Sequence, residues 1–310
     1  MEGKVVNSEE RVWAALAHGS ALLFFFGPIL PVVVWFTQRK KSAYAAFHAL
    51  QAMVYQILFF WLWVAVVPIL MFCFLIVAIP ISASSFEHSN NPEVLGMLFP
   101  FATWGILFAV FGLYVLIGII GAIFSLTGRE FRYPLFGSQL ARFLGYSAAT
   151  ESMLDEDKED RLVAAVGHST AILLLWGIVV PLIVWITQKE RSGRLKFQAL
   201  QATIYQGLGM LAYFVFMAVY MFFIFGTMAV FMLSSSSNNS QLNPIVGLLF
   251  FVPFLLFMFV FLILGPLYQL FAFIASIKVL RGKDYKYPIL GNIIFRRMGL
   301  DRQVQPEASK

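Results

Sequence analysis

The chain has 310 residues, 60% of them hydrophobic and only 12% charged, with a mean hydropathy of +0.81. Soluble domains carry about twice that share of charge, so a water-soluble globule, a disordered chain and a disulfide-framed secreted module are excluded. The net charge of +6 fits lysine and arginine facing the cytoplasm and anionic lipid rather than nucleic acid. One cysteine, Cys73, makes neither an intrachain disulfide nor a Cys-rich metal site.

The N-terminal residues, up to Glu10, form a mixed, acidic tail without a basic n-region or a small-residue cleavage site, so no cleaved signal peptide is expected. From Arg11 the chain is a tandem repeat. Residues 11–60 and 161–210 align without gaps at an offset of 150, with 21 of 50 positions identical. The match includes Arg11 with Arg161, His18 with His168, Gly27 with Gly177, Pro31 with Pro181, and Gln51, Tyr55 and Gln56 with Gln201, Tyr205 and Gln206. Further on, Gly128 to Pro134 matches Gly282 to Pro288. The organisation is a tail (1–10), repeat A (11–145), an acidic linker (146–160) that reads as solvated, repeat B (161–300) and a second tail (301–310).

Each repeat opens with a stretch, 11–37 or 161–187, broken by Gly and Pro. Its two pieces span roughly 24 Å and 15 Å as helices, so it forms either one kinked crossing or a hairpin returning to its starting side. Long apolar stretches follow, about 44–80 and 93–127, then 197–233 and 244–280. Each is long enough to cross hydrocarbon as one helix, with kinks expected near Pro68, Pro100, Pro253 and Pro266. The loops Ser82–Pro92 and Ser234–Pro244 hold no Lys or Arg. With hairpins, all 22 basic residues fall on one side; with kinked crossings they split 14 to 8. The positive-inside rule selects hairpins. The predicted fold is therefore an all-α polytopic membrane protein of two parallel repeats, each a short broken hairpin plus two long spanning helices, with both termini cytoplasmic.

All 16 acidic residues lie in tails, loops or helix ends, which argues against a proton- or cation-driven transporter. His18 and His168 sit midway along the first short helix of each repeat. Such a residue can ligate haem or metal, or can simply bond to a neighbouring helix. No second ligand recurs in both halves, because His48 becomes Gln198. The structural role is preferred, and no cofactor is expected. Gln51, Tyr55 and Gln56, repeated as Gln201, Tyr205 and Gln206, form a polar stripe on a long helix. It either lines a polar pathway or bonds across helices. Arg132 with Tyr133, and Lys286 with Tyr287, alternate aromatic and basic side chains just beyond a span. They read as lipid-headgroup anchors. There is no phosphate loop, carboxylate pair or nucleophile–base signature.

These residues resemble the Tic-like domain of unknown function of bacterial membrane proteins. The resemblance runs through Glu10-Arg11, Ala14 and His18, the Gly and Pro hairpin leading to Trp35, Ala49 to Tyr55, and Gly128 to Pro134, with the same order in repeat B. It implies a four-helix membrane unit, similar to a chloroplast inner-envelope import component and to MamF-type magnetosome membrane proteins. Members are usually single units, so the tandem chain resembles a covalently joined dimer. The resemblance supplies a fold and no enzymatic activity. The expected role is a scaffold, assembly factor or complex subunit in the bacterial inner membrane, with a plastid inner envelope as the alternative location. A translocation pore lined by the Gln and Tyr stripe is the alternative role, with a membrane enzyme third. Anionic lipids and other membrane proteins are the expected partners.

Overall fold

A computed structural model describes residues 6–88, 92–148, 152–236 and 243–299. The described residues form helices joined by turns and short irregular segments, and the chain divides into two compact units, up to Val166 and from Gly167 onward.

In the first unit, α1 (Ser8–Gly19) starts with a capping box: Asn7 Oδ1 accepts from the Glu10 amide at 2.8 Å, and the Asn7 amide donates to Glu10 Oε2 at 3.0 Å. A 3-10 turn (Ser20–Phe26) leads into α2 (Ile29–Gln38). The long helices α3 (Ala43–His88, 46 residues) and α4 (Pro92–Leu126, 35 residues) follow, then the short α5 (Gly137–Leu144). The same order returns as α6 (Glu156–Ser169), a 3-10 turn (Thr170–Trp176), α7 (Val179–Gln188), α8 (Gly193–Ser236), α9 (Asn243–Phe259), a π turn (Val260–Leu264), α10 (Gly265–Leu280) and α11 (Leu290–Arg297).

The opening stretches are hairpins. Gly167 on α6 and Pro181 on α7 are so close that a Cβ on the glycine would meet the proline Cβ at 3.4 Å. A continuous helix would hold residues 14 apart about 21 Å away from each other. The reversal falls at Phe24 (φ 49°) and Leu174 (φ 52°), not at the glycines. Gly27 has an ordinary helical φ of −47°. It is required because a Cβ there would sit 2.5 Å from Gln56 Oε1 and 2.9 Å from the Ser20 carbonyl. At Gly177 a Cβ would strike the Thr170 carbonyl.

Small residues then let α1 lie against α4. A Cβ on Gly118 would be 2.7 Å from that of Ala21, and one on Gly121 3.1 Å from the His18 ring. In the second unit Ala272 and Ala275 are fully buried on α10, and Ser169 donates to Ser276 at 2.8 Å. Ser42 and Ser192 cap the long helices, each accepting an amide three residues on at 3.1 Å. Among the described residues four helices are long and apolar enough to cross a membrane.

Three expectations change. The helices run past the predicted loop starts, to His88 and Ser236. Helix α3 also stays α-helical through Pro68, whereas the break in repeat B is the π turn just before Pro266, whose missing N–H loosens the ladder there. Finally, the end of the acidic linker is not solvated. Residues 156–160 are the first turn of α6, and Glu159 and Asp160 are buried against the first unit. Trp35 Nε1 donates to Glu159 Oε1 at 3.2 Å, and the Asp155 amide to the Leu144 carbonyl at 3.0 Å.

Burial pushes the Glu159 carboxyl up to about 7, outweighing the Trp35 hydrogen bond and the Arg39 charge that pull it down; Asp160 and Glu156 push the same way as burial. A carboxyl raised in the folded state binds more protons there than unfolded, so stability is full below the unfolded value and is lost as pH rises to about 7. The full-length protein in detergent is expected to melt at lower temperature at pH 8 than at pH 5. Glu159→Gln, which keeps an acceptor for Trp35, should flatten that dependence. A pH dependence identical to wild type in this variant would assign the effect elsewhere.

Candidate functional site

Each unit carries one buried polar cluster where its first helix, the start of its first long helix and the segment after its last long helix meet. In the first unit that segment is residues 128–134. It leaves the end of α4 and turns back into the bundle, so its backbone groups need partners away from water. Gln51 supplies two. Its Nε2 donates to the Phe131 carbonyl at 3.0 Å, and its Oε1 accepts from the Tyr133 amide at 2.9 Å. The side-chain amide thus replaces a strand neighbour. A Cβ on Gly137 would lie 2.5 Å from Gln51 Oε1, so this approach depends on glycine. Tyr133, only 2% exposed, stacks on Tyr55 with centroids 4.0 Å apart and places its hydroxyl 2.9 Å from His18 Nδ1. His18 Nε2 meets His48 Nδ1 at 2.9 Å. Tyr55 donates to the Tyr114 carbonyl on α4 at 2.9 Å, and Gln56 Nε2 donates to Ser20 Oγ at 2.8 Å, holding the hairpin.

The second unit repeats every part. Gln201 donates to the Tyr285 carbonyl at 3.1 Å and accepts from the Tyr287 amide at 3.0 Å. Tyr287 stacks on Tyr205 at 3.8 Å, and its hydroxyl lies 3.1 Å from His168 Nδ1. Tyr205 donates to the Tyr268 carbonyl at 2.8 Å, and Gln206 to the Gly167 carbonyl at 2.8 Å. Gln198 stands where His48 stands, its Oε1 2.9 Å from His168 Nε2. Its amide also donates to the Tyr285 carbonyl at 3.2 Å. That network assigns the His168 proton to Nε2, with Nδ1 accepting from Tyr287. The same order in the first unit leaves the His48 proton on Nε2, which has no hydrogen-bond partner among the described residues.

The predicted site residues therefore come together. His18, Gln51, Tyr55 and Gln56, and likewise His168, Gln201, Tyr205 and Gln206, lie in one cluster per unit, with the histidines and glutamines buried. Their polar groups bond across elements, as one of the two sequence readings held. One reading is corrected. Tyr133 and Tyr287 are not headgroup anchors: their rings are buried against Tyr55 and Tyr205 and their hydroxyls serve the histidines. The histidine's hydrogen-bond partner in both halves is this tyrosine. His48 and Gln198 fill one role, since imidazole Nδ1 and amide Oε1 both accept from the histidine. Of the proposed anchors, Arg132 is exposed and pairs with Glu130, whereas Lys286 lies 3.2 Å from the centre of the Phe295 ring.

Among the described residues no group of three His, Cys, Asp or Glu is placed to hold a metal ion. The facing His18 and His48 nitrogens supply two donors where zinc takes three or four. A cavity of about 340 Å³ in the first unit is lined by Glu10, Lys41, Tyr44, Glu130 and Tyr146 among others. Its charges are of mixed sign.

Directly after each Tyr-Pro pair the chain makes a tight turn that sequence reasoning missed. The Phe136 amide donates to the Pro134 carbonyl at 2.9 Å, and the Leu290 amide to the Pro288 carbonyl at 2.7 Å. The central residues, Leu135 (φ 71°) and Ile289 (φ 65°, ψ −65°), adopt the rare γ-turn of positive φ. Such a conformation costs about 1–3 kcal/mol for a residue other than glycine.

With this geometry in view, the comparison with known families is direct. A family model described as the magnetosome magnetite crystal formation protein family matches residues 9–140 and again 159–294. The chain belongs to that family. It carries the family's unit twice, and each match runs from the start of the first short helix through the segment that Gln51 or Gln201 holds. No curated protein and no solved structure matches the chain.

Gln51→Leu leaves the Phe131 carbonyl and the Tyr133 amide unpaired, at about 1–3 kcal/mol each. The variant is expected to unfold at clearly lower temperature in detergent, as is Gln201→Leu. His48→Gln installs the second unit's solution and should change stability by less than about 1 kcal/mol. A His48→Gln loss as large as that of Gln51→Leu would show that the two positions are not equivalent.

Proposed function

We propose that the chain is a non-enzymatic membrane scaffold serving magnetite crystal formation, and that it acts by presenting two rigid units joined in one polypeptide. The observation that carries this reading is the fate of the polar stripe. Gln51, Tyr55 and Gln56, with their repeats, bind the terminal segments, the hairpins and the neighbouring helices of their own units. The pore alternative needs these groups to face water. An enzyme needs a reactive constellation, and these clusters contain amides, phenols and one or two imidazoles already bonded to each other.

The family match favours a bacterial membrane over the plastid envelope, with the magnetosome membrane as the working location. The distribution of basic residues supports cytoplasmic termini. Anionic lipids and other proteins of that membrane are the expected partners. The Tic-like resemblance adds the fused-dimer reading of the two units.

Topology is checked with single cysteines in a Cys73→Ser background. With the chain expressed in the inner membrane of a bacterium that makes no magnetosomes, an impermeant maleimide added to intact cells should miss Lys40→Cys, which is exposed beside α2, and should label Ser84→Cys. The reverse pattern overturns the orientation. For function, a magnetite-forming bacterium deleted for its own family members should regain wild-type crystal dimensions, by electron microscopy, when given this chain. Liposomes containing the purified protein should show no ion flux above empty liposomes. Crystals indistinguishable from the deletion strain, with the chain present in the magnetosome membrane, would refute the role. Ion flux would revive the pore.

A further inference from the structure

We infer that Pro134-Leu135 and Pro288-Ile289 are feet with which each unit enters the adjoining lipid leaflet, and that the basic side chains around them bind anionic phospholipid headgroups.

Both copies of the turn hold a branched apolar residue at positive φ, where glycine or asparagine is unstrained. Neither residue is used by its own unit: Leu135 is 94% exposed and Ile289 78%. An apolar side chain that is strained and bare in two copies needs an apolar medium outside the protein.

The depth of the turn identifies that medium. Tyr133, two residues earlier, is stacked on Tyr55, and Tyr287 on Tyr205, so each turn lies beside the 51–55 or 201–205 level of a long helix. From Ile57 to Pro80, α3 has no charged or amide side chain, and this stretch of 24 residues is about 36 Å long, one hydrocarbon thickness with some tilt. The turn thus sits at the border where the apolar span begins. The long helices already show exposed leucine there, at Leu58 and Leu208, three residues on from the two tyrosines. The feet extend that apolar belt sideways.

Charge completes the match. Arg132, paired with Glu130, and Arg142 lie in the same stretch as the first turn and are exposed; Lys286, over the Phe295 ring, and the exposed Arg296 and Arg297 lie in the same stretch as the second. An apolar tip on a segment of net positive charge fits the boundary between acyl chains and anionic headgroups.

The test uses the full chain in Cys73→Ser form, with Leu135→Cys or Ile289→Cys carrying an environment-sensitive fluorophore, in liposomes of phosphatidylcholine with or without phosphatidylglycerol. Lys40→Cys is the water-exposed reference. The labels at 135 and 289 should emit at shorter wavelength than the reference and be quenched at least twofold more by lipid spin-labelled at carbon 5. With Arg132→Gln and Arg142→Gln, the extra quenching at 135 produced by phosphatidylglycerol should disappear. Emission and quenching equal to the reference would overturn the proposal. So would blue-shifted emission that lipid spin labels leave unquenched, which would mean that a second copy or another protein covers the turn. Leu135→Gly with Ile289→Gly gives a readout that does not depend on labels. Glycine relieves the strain, so the variant should melt at equal or higher temperature in detergent while its liposomes lose enrichment of co-purified anionic lipid. A fall in melting temperature with unchanged lipid enrichment would mean that the residues serve the fold instead.

Discussion

The structure depends on a backbone that turns back into a membrane bundle without a helix to satisfy it. Residues 131–133 and 285–287 offer a carbonyl and an amide where water is scarce, and an unmet polar group there is expensive. One glutamine amide, Gln51 or Gln201, meets both groups at once. Once it does, the tyrosine in the middle of the segment has a single place to go. Its ring stacks on the tyrosine one turn further along the long helix, and its hydroxyl reaches the histidine of the first short helix. Through that chain of contacts the end of each unit fixes its beginning.

The duplication shows which parts of this arrangement are interchangeable. The glutamine, both stacked tyrosines and the histidine recur unchanged, whereas His48 becomes Gln198 and Ser20 becomes Thr170. Each exchange keeps an acceptor or hydroxyl in place while altering the rest of the side chain. The first unit consequently holds a Tyr–His–His series ending in a ring nitrogen that has no partner among the described residues, and the second ends in an amide bonded on both sides. Two copies tied in one chain can drift in this way, since each closes its own cluster.

Much of the architecture is legible in the sequence because it follows from composition and charge. Residues 57–80 cannot avoid being a lipid-facing helix, and the one-sided placement of the basic residues selects hairpins before any contact is known. The polar cluster is legible as a set of residues, since His18, Gln51, Tyr55 and Gln56 recur at an offset of 150. Its closure is not. Tyr133 in Phe-Arg-Tyr-Pro has the pattern of an interfacial anchor, and nothing local says that the segment folds inward. Only the length of the return path from α4 and the need to satisfy its backbone decide that. Phe24, Leu135 and their repeats evade sequence reading for the opposite reason. Positive φ ordinarily announces itself through glycine or asparagine, and here phenylalanine, leucine and isoleucine carry it. The burial of Glu159 is likewise set by Trp35 and Arg39, over 100 residues away in sequence, and not by its acidic neighbours.

Polar bonding is consequently uneven along each long helix. All the histidines and amides of α3 up to Pro80 fall within its first 14 residues, among the hairpin and the returning segment. That end is tied by hydrogen bonds between side chains far apart in sequence, and it contains most of the buried polar groups. From Ile57 to Leu70 the side chains of α3 are aliphatic or aromatic; Phe59 and Phe60 are buried, and Leu58, Leu62, Val64 and Ile69 are exposed. Packing between apolar helices in lipid has no hydrophobic driving force, so shape and close contact hold the described apolar part of the span to its neighbours. The hydrogen-bonded end is therefore where the shape of each unit is fixed.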